Sequence, residues 1–261
     1  MRRSTAASSR RVAGPSAFRR HLSIESLESR CLLATSASSL AVPQLSSRPG
    51  AAATLYLDFN GHVQPSWGSH DNVVTPAYDT DGNKASFSAA EIAAIREIWA
   101  RVAEDYAPFK INVTTVAPPS FADRVAARVA IGGSYSDWYG ASAGGVAYVG
   151  GFAGGASNVA YVFSSTLGGG NPRYVAEAAS HEAGHLFGLE HHATWSSGRL
   201  VTEYDAGSAV LAPIMGVGYY AGRTTWANAP TSAGPTVYQD DLSLIASGTN
   251  GFGYVPEAIS E

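Results

Sequence analysis

The stretch His181-Glu182-Ala183-Gly184-His185-Leu186-Phe187-Gly188-Leu189-Glu190-His191 puts three imidazoles and a carboxylate within three helical turns of chain. On a helix, positions i and i+4 lie one turn apart on one face. His181 and His185 can therefore grip one ion, each at about 2.0–2.1 Å. Gly188 lets the backbone leave the helix through a left-handed conformation, and that turn brings His191 round as a third ligand. Three nitrogens leave one tetrahedral corner of a zinc ion for water, the pattern of a catalytic site; a structural site needs a fourth protein ligand. Glu182 follows the first ligand and projects beside the ion without joining the ligand row. It is placed to take a proton from a metal-bound water and pass it to a leaving amine. At this chain's own residue frequencies the whole pattern arises by accident with a probability on the order of 10⁻⁵, so chance is set aside.

The elements that must carry these groups are legible in outline. Residues 52–59 alternate apolar side chains around aromatic and β-branched ones, which predicts a strand. A polar loop with Pro65, Gly68 and Pro76 follows, and the Asp81-Gly82 pair marks a turn. Ser88-Ala-Ala-Glu91 reads as a capping box that opens a helix. Ile92, Ile95, Trp99, Val102 and Tyr106 give that helix one apolar face, and Pro108 stops it. Residues 111–116, 127–133, 144–151 and 158–163 read as strands. Asn171-Pro172 caps and starts the helix that carries His181 and His185. The remainder is irregular up to a short helix over 240–247, with Asp240 as its cap.

HEAGHLFGLEH resembles the long zinc motif of the metzincin metallopeptidases. Ala212-Pro213-Ile214-Met215-Gly216 resembles that clan's Met-turn, which sets a methionine beneath the metal, and it lies in a turn-prone Pro/Gly segment. YLDFNGH, FSAAEIAAIREIWARVAEDYAPFKINVTT, GGVAYVGG, APIMGVGYY and QDDL are similar to a bacterial group of secreted reprolysin-like metalloproteases. The resemblance implies a zinc-dependent metalloendopeptidase that hydrolyses protein substrates without a covalent intermediate. It implies an α+β fold of two subdomains: a mixed twisted sheet with two long helices above the cleft, and an irregular C-terminal subdomain with one short helix. It also implies an edge strand that pairs with extended substrate. Gly144–Gly150 is the candidate, with Gly145, Val146, Ala147 and Tyr148 as contacts and specificity coming from a pocket near Met215. A catalytically silent peptide-binding module of the same fold and a zinc hydrolase of non-peptide bonds are the alternatives. This chain departs from the pattern in two places. His192 stands where many clan members carry Asp, and it reads as a solvated histidine. Val217 stands where some relatives carry Tyr, and Tyr219 and Tyr220 nearby receive no role.

Within 261 residues there is room for one domain and a terminal extension. Residues 1–50 are expected to be an export or sorting segment plus linker. Residues 51–261 are expected to be the catalytic domain, with an upper part to 191 and a lower part from 192. Seven arginines against Glu25 and Glu28 give the first 33 residues +5, so the formal total of −4 leaves −9 for the rest. An acidic body argues against nucleic acid as partner. Leu27, Glu28, Arg30, Leu32 and Leu33 resemble an export segment of large secreted bacterial proteins, which implies a secreted or cell-surface protein with that segment removed. Cys31 is the only cysteine, so no internal disulfide forms, and it lacks the surroundings of a latency cysteine. No apolar run reaches membrane-spanning length. A monomer with a protein or peptide substrate is expected. Asp79, Asp81 and Asn83 invite calcium, but Lys84 and Ala90 stand where the twelve-residue loop needs Gly and Glu, so a plain turn is the reading. Asp240 and Asp241 are read as helix caps, and His62 and His70 as surface histidines.

Overall fold

The computed structural model describes residues 41–256. Its first strand, β1 (Ala53–Asp58), sends Ala53, Leu55 and Leu57 into the core, as the alternation predicts. The expected polar loop is instead a hairpin of β2 (His62–Trp67) and β3 (His70–Thr75). Only Trp67, Val73 and Thr75 of it are buried, too few inward side chains to register as an alternating strand.

Helix α1 (Ala89–Asp105) opens on the expected capping box. Glu91 N–H donates to Ser88 Oγ, and Ser88 N–H donates to Glu91 Oε2 at 2.8 Å. The buried stripe is Glu91, Ile95, Ile98 and Val102, and Ile92 and Trp99 are only half-buried, so the face is rotated slightly from the sequence reading. The next strands are β4 (Ile111–Thr114), β5 (Ala126–Ile131), β6 (Gly145–Val146) and β7 (Val159–Val162). The strand expected over 144–151 is thus two residues long. Gly150 takes φ 76° and starts a 3-10 turn over Gly151–Ala153, which ends any ladder there. Helix α2 (Pro172–Leu186) begins where Asn171 accepts from the backbone N–H groups of Arg173 and Tyr174.

The five strands run in the order β4-β1-β5-β7-β6, parallel except for β6, which pairs antiparallel with β7 and forms one edge. One sheet face, with Leu55, Val129 and Val162, packs on α1 and α2. The other face, with Ala130, Val159 and Tyr161, packs against Trp67 and Val73 of the hairpin.

Beyond α2 come three short ladders: β8 (Thr194–Ser196) with β9 (Arg199–Thr202), β10 (Leu211–Pro213) with β11 (Arg223–Thr225), and β12 (Asn228–Pro230) with β13 (Tyr238–Asp240). Helix α3 (Asp241–Ile245) follows, capped by Asp240. Ile214, Met215, Trp226 and Ile245 join the same buried cluster as Leu55 and Val129, so one core runs through both parts of this α+β fold.

The fold starts earlier than residue 51. Leu45 and Thr115 exchange hydrogen bonds, Ser47 N–H donates to Val113 O at 3.0 Å, and Val42 packs on the core. This segment covers the outer edge of β4, which otherwise presents unpaired backbone groups. The expected sorting segment, with residues 27–33 and Cys31, lies outside the described residues. Among the described residues no helix is long and apolar enough to cross a membrane.

Candidate active site

His181 and His185 face the same way from α2, and the helix end brings His191 to them. Leu189 N–H donates to Gly184 O and Gly188 N–H to His185 O, the paired bonds of a Schellman motif, with Gly188 at φ 100°. A residue with Cβ pays strain at that angle, so the glycine dictates where the chain turns. The three rings lie 4.7–5.1 Å apart between centroids.

Each ring is fixed from behind. His181 Nδ1 donates to Ile214 O at 2.8 Å and His185 Nδ1 donates to Leu189 O at 2.7 Å. His191 Nδ1 donates to Glu203 Oε1 at 3.0 Å. Carbonyl and carboxylate oxygens only accept, so each ring carries a proton on Nδ1, which leaves Nε2 as the nitrogen that can meet an ion. His185 Nε2 and His191 Nε2 are 3.0 Å apart, and one nitrogen from each of the three lies within 4.8 Å of the others. Tetrahedral bonds of about 2.0–2.1 Å would set neighbouring donors about 3.3 Å apart, so the donor set fits zinc. Burial, and then its two neighbouring histidines, hold His181 well below the ordinary histidine pKa. Burial lowers His185 to about 4. Neutral rings are the form that binds a cation.

Glu182 is buried against the other wall. A Cβ on Gly145 of β6 would stand 2.6 Å from Glu182 Cγ and 2.7 Å from Oε1, so only glycine lets this carboxylate lie under the edge strand. Among the described residues it has no hydrogen-bond partner, and burial alone pushes its pKa up to about 8. Gly145 and Val146 pair with Val162 and Tyr161 through one edge and line the cleft, as do Ala147 and Tyr148, which lie beyond the two-residue strand.

Met215 is fully buried, and a Cβ on Gly184 would meet its Sδ at 2.5 Å, so the methionine packs on α2 beside the turn that carries His181 and His185. Its carbonyl accepts from His192 N–H at 2.9 Å, and the preceding carbonyl, Ile214 O, is the one that holds His181.

His192 is the clearest correction. It is fully buried rather than solvated, with Nε2 2.9 Å from both carboxylate oxygens of Asp241. Asp241 also accepts from Ala227 N–H and from Gln239 Nε2. Gln239 in turn clasps the backbone of Glu190 at both its N–H and its C=O, at 2.8 Å each. The residues on either side of His191 are thus locked to the C-terminal segment. Asp240 is the cap expected of it, but Asp241 is a buried anchor.

The roles of Glu203, Gln239, Asp241 and Tyr204 around the motif escape the sequence reading. The Tyr204 ring lies 4.2 Å from that of His191. No local pattern marks them; their contacts with residues 190–192 span 12 to 49 residues. Tyr219 is half-buried in the cleft, and Tyr220 is 84% exposed. His62 is half-buried against Arg128, and burial then that guanidinium lower its pKa to about 4.

At the turn, Asp79 accepts from the N–H groups of Asp81 and Gly82 and approaches Asp81 and buried Glu91. The Glu91 oxygens are engaged by Thr80 and Ser88, as a turn locked to a helix cap requires. The cleft itself, about 780 Å³, runs from Trp67 and Tyr139 across the triad to Tyr219.

Residues 122–192 match the family described as Metallo-peptidase family M12B Reprolysin-like, a segment from the loop before β5 through the third histidine. No curated protein matches the chain. The match and the triad together identify the chain as similar to metzincin zinc metallopeptidases, in a metzincin-like α+β fold.

Proposed function

We propose that this chain, reprolysin-like over its site-bearing segment, is a zinc-dependent endopeptidase with its ion held by His181, His185 and His191. The observation that carries the reading is the set of three Nδ1 anchors, which turns the three Nε2 atoms toward one point beside an unpartnered buried carboxylate. Zinc bound there would supply Lewis acidity toward a water and toward a scissile carbonyl. Glu182 takes the proton of the attacking water and delivers it to the leaving amine. Met215 supports the ligand pair from below. The free edge of β6, with Gly145 and Val146, offers backbone groups to an extended peptide, and Ala147 and Tyr148 flank it.

The substrate is accordingly protein or peptide, and hydrolysis proceeds without an acyl-enzyme. A secreted or cell-surface location for a monomeric enzyme is part of the proposal and rests on the basic head and on residues 27–33. Mass measurement of the exported product tests the removal of that segment. The activity test is E182Q. It should keep one zinc per chain and lose casein cleavage by about 10²-fold or more, the scale of a general base. Undiminished cleavage by that variant would remove Glu182 from the mechanism.

A further inference from the structure

The cleft continues past the triad along α2. Glu177 lies four residues before His181 on the same helix face, about 6 Å back along the axis. It lines the cleft together with Ala178, Ile214, Val217, Gly218 and Tyr219. Its Oε1 accepts from Thr224 Oγ1 at 3.0 Å, and Oε2 accepts nothing. A Cβ on Gly218 would come within 3.5 Å of that free oxygen and 2.2 Å of Thr224 Cγ2, so a glycine keeps this wall thin beside the carboxylate.

No Lys, Arg or His nitrogen among the described residues lies within 4.0 Å of the Glu177 carboxylate. Arg173, the larger of the two cationic influences on Glu177, has its Nη2 donating to Ala221 O. Burial raises the Glu177 pKa, and the Thr224 hydrogen bond, Arg173 and Arg101 only partly reverse this. A half-buried carboxylate without an ion pair is an unfavourable arrangement that an incoming cation relieves.

We propose that Glu177 forms the floor of a subsite for the side chain of a Lys or Arg flanking the scissile bond. The subsite's apolar wall takes the methylene stem, and the Oε2 end takes the charged head. The distance from His181 back to Glu177 suits such a stem, and a short apolar side chain would leave Oε2 without a partner. The proteolytic reading underlies this assignment, which adds a substrate class to it.

The test has two arms. In the first, zinc-loaded protein digests a mixed peptide library, and mass spectrometry reads the residues on either side of each cut. Wild type should enrich Lys and Arg at one flanking position, E177Q should reduce that enrichment about tenfold, and E177K should favour Asp and Glu there. In the second, zinc-loaded E182Q binds fluorescein-labelled peptides that differ only in one Lys or norleucine, and E182Q/E177Q should lose the preference for Lys. Cleavage with no basic preference, or with one unmoved by E177Q and E177K, overturns the subsite and leaves the peptidase standing. Preferential binding of the Lys peptide that depends on Glu177, without cleavage by wild type, supports the subsite and overturns the peptidase. Far-UV circular dichroism and urea midpoints matching wild type establish that the variants are folded.

Discussion

Replacing Gly145 by Ala asks how closely the edge strand and Glu182, the proposed general base, are fitted. The added Cβ would lie 2.6 Å from Glu182 Cγ, 2.7 Å from its Oε1 and 2.7 Å from Tyr161 O. All three contacts are shorter than a Cβ tolerates, and Tyr161 O belongs to a paired strand that cannot retreat alone. Gly144 O accepts from Phe163 N–H at 2.8 Å, and Gly145 and Val146 are in register with Val162 and Tyr161, so β6 is held as well. Glu182 is the group most able to move. Losing a positioned general base costs about 10²–10⁴ in rate, which is about 2.7–5.4 kcal/mol in the barrier. Overpacking costs about 1–3 kcal/mol of stability. The assay is kcat on an internally quenched peptide, run beside urea unfolding and zinc content. Gly248→Ala serves as control, since its Cβ would meet nothing within 4 Å. G145A should bind zinc, lose no more than about 3 kcal/mol of stability and fall at least about 100-fold in kcat. A kcat within about threefold of wild type would refute the fit between β6 and Glu182.

Other consequences follow from the supporting residues. Glu203→Gln removes the carboxylate that accepts from His191 Nδ1, and a competition titration with a chelator should read zinc affinity about 10–100-fold weaker. Asp241→Ala strands His192 in the core. It should cost about 2–5 kcal/mol in urea unfolding and speed zinc loss, through the tie from His192 to the neighbouring ligand. Asp105, raised to about 7 mainly by burial, keeps its proton in the fold after the unfolded chain has released it at its ordinary value near 3.8. Between those values the native state binds more protons, so stability falls as pH rises from about 4 to about 7, by at most about 4 kcal/mol from this group. Asp105→Asn should flatten that slope, and equal slopes in urea midpoints for both proteins would dismiss the effect.

What the sequence discloses is what acts locally. The Ser88–Glu91 box, the Asn171 cap, the i, i+4 histidines and the Gly188 turn are settled within a few residues of themselves, and each forms as read. The β2–β3 hairpin stays hidden because its outward side chains are polar and its inward ones few. β6 pairs over only two residues although GGVAYVGG has the composition of a longer strand, and the chain passes into a 3-10 turn at Gly151 instead of extending the ladder. His192 is unreadable from its neighbours, since its environment is supplied by Asp241, 49 residues away. The Gln239 clasp and the Glu203 anchor have the same origin: tertiary closure chooses their partners, and no periodicity announces it. Likewise, residues 42–48 carry no strand signal of their own and are ordered by the open edge of β4.

The most direct test of the central claim is a zinc titration of metal-free protein with proteolysis followed at each point. Activity should rise in proportion to bound zinc, saturate at one ion per chain and be absent throughout in His181→Ala, His185→Ala and His191→Ala. Cleavage that persists in metal-free protein, or that survives loss of the three histidines, would contradict it.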